Sequence, residues 1–191
     1  MIGPTHKGRR RKTAGGGPTV AKRLRELEGR GVENICFVAV DELHYGQNLA
    51  TLLRIGAVAG LHGIILPPNR SHPGLTPAVE SMAGSAAHKV PIVRQGLMSA
   101  LTTLRRAGFL VIGAWEHAPA LFDEVDYGGR VAIVLGGEDK GVTEAVQKKC
   151  DGLVRLPMSG PVPSLNVAAT ASVLVFERLR QLHLAARVSR S

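Results

Sequence analysis

At 191 residues the chain is long enough for one α/β domain with a sizeable core and too short for two full domains with linkers. Its 24 Lys and Arg against 15 Asp and Glu leave a formal charge of +9, which favours a polyanionic partner, nucleic acid first, through phosphate neutralisation and counterion release. Apolar stretches break off well short of the ~20 residues of a membrane span, and the basic N-terminus lacks the apolar core of a signal peptide. Cys36 and Cys150 stand apart with no metal-ligand spacing, which fits a reducing, cytoplasmic setting and calls for no metal.

In chain order, residues 1–19 join Lys7, Arg9, Arg10, Arg11 and Lys12 to a Gly/Pro run and predict a flexible basic arm able to hold RNA phosphates. The remainder, 20–191, reads as one domain. A helix over about 20–30 carries further cations, Lys22 and Arg23 among them, as candidate RNA contacts. The runs ICFVAV (35–40), GIILP (63–67), FLVIGA (109–114), RVAIVLG (130–136) and LVRLP (153–157) predict buried parallel strands. Helices are predicted at about 48–60, 76–86, 97–107, 142–149 and 164–185. Such alternation implies an α/β fold, a parallel sheet with helices on both faces.

Three segments carry candidate chemistry. In QNLATLLRIGAVAG (47–60), Asn48 is a candidate helix cap, and Arg54 is a single guanidinium on an otherwise apolar helix. If buried, that charge needs an anionic partner: an internal carboxylate, a phosphate or a developing oxyanion. In RVAIVLGGEDKG (130–141), Gly136, Gly137 and Gly141 leave no Cβ at the carboxyl end of a strand, so backbone can approach a ligand; a tight turn with Glu138 capping the next helix is the plainer alternative. In LPMSGPVPSLNVAATASVLVF (156–176), Pro157, Pro161 and Pro163 keep the loop irregular until a helix starts at Ser164, with Ser164 and Asn166 among exposed first-turn amides. Two such loops at neighbouring strand ends form the crevice in which α/β sheets bind ligands. Trp115 and the few other aromatics suggest no stacking platform for single-stranded RNA.

Together the three segments resemble the three motifs of the TrmH/SpoU family of SPOUT methyltransferases: Asn48 with Arg54 six residues on, VLGGEDKGV, and LVRLPMSGPVPSLNVAATASVLVFE. The likeness covers about residues 35–180 and is nearest to the RlmB-type enzymes, which methylate a guanosine ribose in large-subunit ribosomal RNA. It departs from the family pattern at Tyr45-Gly46-Gln47, where relatives have Asp-Pro, and at His88, where relatives often have Glu. The resemblance implies a SPOUT fold with a C-terminal deep trefoil knot, a homodimer, and S-adenosylmethionine as cofactor. It assigns the cofactor to Leu135, Gly136, Gly137, Leu156, Met158, Leu165 and Asn166. It makes Arg54 the catalytic arginine, with Asn48, Glu138, Ser164 and Asn166 organising the site. The implied activity is ribose 2′-O-methylation of ribosomal RNA; the same chemistry on transfer RNA and a non-catalytic ribosome-assembly role are the alternatives.

Overall fold

The computed structural model describes residues 18–68, 72–137 and 141–189. The basic arm with Arg9, Arg10, Arg11 and Lys12, and Glu138 in the second motif, therefore lie outside the described residues. Seven parallel strands form one sheet: β1 (Cys36–Val40), β2 (Gly63–Leu66), β3 (Ile92–Arg94), β4 (Leu110–Ala114), β5 (Ala120–Leu121), β6 (Val131–Leu135) and β7 (Gly152–Arg155), in the order β3-β2-β1-β6-β4-β7-β5. The helices are α1 (Val20–Glu28), α2 (Gly46–Ala59), α3 (Pro77–Ala83), α4 (Leu97–Arg106), α5 (Glu144–Gln147) and α6 (Val167–Val188).

Both faces of the sheet are covered, and the strand pleat shows it directly. Along β1, Cys36, Val38 and Val40 enter one buried cluster with α2, α3 and α6, while Phe37 and Ala39 enter a second with α1 and α4. The central strand β6 divides in the same way, Val131, Ile133 and Leu135 to the first cluster and Ala132 and Val134 to the second. Every residue of β1 and β6 is buried, which is why their sequences read as unbroken apolar runs. Among the described residues no helix is long and apolar enough to cross a membrane.

Several expected boundaries move, each for a local reason. The helix α2 begins two residues early, at Gly46, with Tyr45 in the N-cap position, so Asn48 is not its cap. The last helix begins at Val167 and not Ser164, because the Asn166 side chain accepts from the Ala168 and Ala169 amides and sets the start there. Gly84, at φ 59°, stops α3, and a 3-10 turn over Gly84–His88 completes the segment expected as one helix. The helix expected at 142–149 shrinks to the four residues of α5. Strands β3 and β5 add to the five expected, one on each edge of the sheet.

Candidate active site at the carboxyl ends of the strands

The segment after β1 and the second motif meet where β1 and β6 end side by side. The Asp41 amide donates to the Leu135 carbonyl at 3.0 Å, and the Asp41 carboxylate accepts from the Thr143 amide at 3.2 Å and from its hydroxyl at 2.8 Å. Gly137 and Gly141 exchange backbone hydrogen bonds at 3.2 and 3.3 Å, closing the loop between them. Glycine is required here by space. A Cβ on Gly136 would stand 2.0 Å from the Gly141 carbonyl carbon, and one on Gly137 would stand 2.6 Å from Glu42 Cβ. Gly141 itself holds φ 62°, a conformation that favours glycine.

Beside this loop opens a cavity of about 580 Å³. Its floor is the ends of β6, β4 and β7, with Leu135, Gly136 and Gly137 from the first, Ala114, Trp115 and Glu116 from the second, and Val154, Arg155 and Leu156 from the third. The loop after β7 supplies Met158, Ser164, Leu165 and Asn166, and α6 closes the side with Val167 and Thr170. Thus all seven residues expected to hold the cofactor line one cavity, and Ser164 joins them. A volume in the range of roughly 300–1,000 Å³, mixed apolar and polar walls and a glycine rim suit a small organic ligand.

Asn48 is buried at 8% exposure and lies behind the wall: its Oδ1 accepts from Asn166 Nδ2 at 3.0 Å. That bond joins the first motif to the third. Arg54 is brought to neither the cavity nor the interior. It is exposed, on a stripe of α2 with Gln47, Thr51 and Val58, so the premise of a buried guanidinium is corrected. At 3.6 residues per turn, six residues separate Asn48 and Arg54 by about 240° around the helix, so the two side chains leave on different faces. Lys22 is exposed on α1, whereas Arg23 is committed, donating from Nε to the His62 carbonyl at 3.0 Å and pairing with Glu26 at 3.2 Å. Both cysteine thiols are pushed up to about 12 by burial, so neither is a thiolate at neutral pH.

Sequence reasoning did not assign Trp115, Glu116 or Arg155 to the cavity. The signal available was position: Trp115 and Glu116 follow directly on a predicted strand, and α/β sheets place ligand contacts just beyond strand carboxyl ends.

Residues 36–176 match the SpoU rRNA methylase family. A 23S rRNA (guanosine-2′-O-)-methyltransferase, RlmB, of Burkholderia sp is 36% identical over 145 residues, 75% of this chain and 58% of that protein. YacO of Bacillus subtilis, named as a TrmH family tRNA/rRNA methyltransferase, is 35% identical over 146 residues, 76% of this chain and 58% of its own length. The chain therefore spans 58% of each of these relatives. Among solved structures, an AdoMet-bound rRNA methyltransferase from Sinorhizobium meliloti superposes with a TM-score of 0.74 at 26% identity, covering 78% of this chain and 57% of that one. AviRb from Streptomyces viridochromogenes, solved with AdoMet, gives 0.68 at 27% identity, covering 78% and 58%.

Proposed function

The chain belongs to the SpoU rRNA methylase family, and from that premise we propose that it transfers a methyl group from S-adenosylmethionine to a ribose 2′-hydroxyl of RNA, a guanosine of large-subunit ribosomal RNA being the first candidate. The observation that carries this reading is the convergence of Leu135, Gly136, Gly137, Leu156, Met158, Leu165 and Asn166 on one cavity at the strand ends. These residues fit the cofactor: a glycine rim allows close backbone approach, apolar side chains meet its hydrocarbon and base, and Ser164 and Asn166 offer hydrogen bonds. Bound there, S-adenosylmethionine supplies a methyl group on a positively charged sulfur.

The chain's own residues have three tasks: to align the ribose oxygen with that methyl, to stabilise negative charge as the hydroxyl loses its proton, and to hold the RNA. The Asn48–Asn166 bond fixes the polar edge of the cavity on the side of α2. Arg54 carries a guanidinium, a poor base and a good grip for phosphate. Its outward position on α2 suits contact with RNA arriving from outside better than a place in the cofactor wall. Glu138 and the basic arm keep their proposed roles, in site organisation and phosphate binding.

The same reading includes a C-terminal trefoil knot, supported by the insertion of β6 between β1 and β4 and the return of α6 onto α2. It also includes a homodimer in the cytoplasm. Val58, 75% exposed on α2, and Phe176, 47% exposed on the adjoining α6, are large apolar side chains at the surface. Sedimentation of a Val58→Glu, Phe176→Glu chain as a monomer, where the natural chain is a dimer, tests that interface; an unchanged dimer rejects it. The transfer-RNA alternative stands beside the ribosomal one, since the name of the Bacillus subtilis relative covers both tRNA and rRNA. Labelled methyl transfer to unmodified ribosomal and transfer RNA transcripts, mapped to a nucleotide, decides between substrates. RNA binding without transfer to either, despite bound cofactor, favours an assembly role.

A further inference from the structure

The cavity extends beyond the motif residues to the end of β4, and the geometry points to Trp115 and Glu116 as an adenosine subsite: the indole stacks on the adenine and the carboxylate accepts from the ribose hydroxyls. This inference rests on the reading of the cavity as a cofactor site. The sheet order β1-β6-β4-β7 sets its direction. Asn48 and Asn166 mark the edge beside α2, and on the reading above this is the reacting edge because α2 carries Arg54, the proposed grip on RNA. The opposite edge, over β4 and β7, holds the part of the cofactor farthest from RNA. Trp115, Glu116 and Arg155 stand at that edge.

Two parts of the cofactor compete for this place, the adenosine and the methionyl zwitterion, and the side chains choose between them. Trp115 is half-buried and held by its backbone amide, which donates to the Val154 carbonyl at 2.8 Å. The edge of its ring system is braced by His117, with centroids 5.4 Å apart at 86°. A fixed indole offers a planar base an aromatic surface and offers a methionyl chain little of comparable specificity. The Glu116 carboxylate, 45% exposed, has Oε1 3.4 Å from His117 Nε2 and its other oxygen open to meet a diol as acidic residues do in other nucleotide sites, and it would repel the methionyl carboxylate. Arg155 is the only cation among the described residues that line the cavity. Its Nη1 donates to the Ala118 and Pro119 carbonyls, both at 2.6 Å, so it is turned toward the β5 edge and does not compensate.

Trp115 is the only tryptophan of the chain, so its emission reports this edge alone. The experiment titrates the full chain with S-adenosylhomocysteine, adenosine, 2′-deoxyadenosine and methionine, following tryptophan fluorescence and calorimetric heat in parallel. Saturable quenching by S-adenosylhomocysteine and adenosine, and none by methionine, is expected. Trp115→Leu should weaken S-adenosylhomocysteine binding about 5- to 150-fold, the range of a lost base–aromatic stack, and Trp115→Phe should restore most of it. The natural chain should prefer adenosine to its 2′-deoxy form by about tenfold, and Glu116→Gln should erase that preference. Calorimetric binding of S-adenosylhomocysteine with unchanged emission, or with unchanged affinity in Trp115→Leu, overturns the subsite and leaves the cofactor reading standing. No binding by either readout overturns both.

Discussion

Arg54 and His72 show how much a single side chain's surroundings decide. Arg54 is exposed and absent from the cavity wall, so its removal should leave the cofactor site intact. Arg54→Ala is expected to abolish methyl transfer while S-adenosylhomocysteine affinity changes less than twofold; parallel loss of both would return Arg54 to the cofactor wall. His72 is the opposite case, 6% exposed with neither ring nitrogen hydrogen-bonded among the described residues. Burial first, then the Arg94 guanidinium, hold its pKa below the ordinary 6.5. His62 is lowered as well, by burial and by Arg178. The unfolded chain then binds more protons than the folded one between the depressed values and 6.5, so stability rises with pH across that window and is lost as pH falls through it. Denaturant midpoints from pH 7.5 to 5 should decline, and His72→Leu should flatten part of the decline; an identical slope in the variant would assign the effect to other groups.

At the scale of elements, the turn Gly136–Gly141 is the part least tolerant of added atoms. Gly136→Ala brings a methyl group onto the Gly141 backbone, so the bridge between Gly137 and Gly141 must open. Cofactor affinity should fall by about tenfold or more, read by calorimetry, with the far-ultraviolet spectrum of the sheet unchanged. This loop was legible only together with the third motif, because Gly136, Gly137 and Gly141 on their own read more plainly as a tight turn. The central strands β1, β2 and β6 were legible because strands buried on both faces admit only apolar residues, and β4 and β7, buried in part, kept enough of such a run to be read. The edge strands β3 and β5 were not, since three and two residues are too short to show a period, and Pro91 precedes the first. The outward face of α2 was hidden by Val58. An exposed valine at i+4 from Arg54 continues the apolar run and erases the contrast that would have shown the stripe of Gln47, Thr51 and Arg54 facing solvent. Asn48 and Asn166 read separately as two caps; only the fold brings them within 3.0 Å, across 118 positions of sequence.

For the whole molecule the question is where the charge resides. Residues 1–17 contain Lys7, Arg9, Arg10, Arg11 and Lys12 and no acidic residue, so removing these 5 cations from 24 leaves 19 against 15, and the net charge drops from +9 to +4. More than half of the excess positive charge thus precedes the described domain, whose cofactor cavity is built wholly from later residues. Phosphate contacts add to affinity through released counterions, and each contributes close to one unit to the slope of log affinity against log salt. A chain beginning at Pro18 should therefore bind RNA more weakly at low salt, with a slope shallower by up to about 4. At saturating RNA its transfer rate should match that of the full chain, because the arm holds the substrate and does not touch the reacting atoms. Filter binding from low to moderate salt, set beside single-turnover methyl transfer, separates the two effects. An unchanged salt slope would move the RNA contacts onto the folded domain, to Lys22 and the exposed face of α2 around Arg54, and leave the arm without a part in binding.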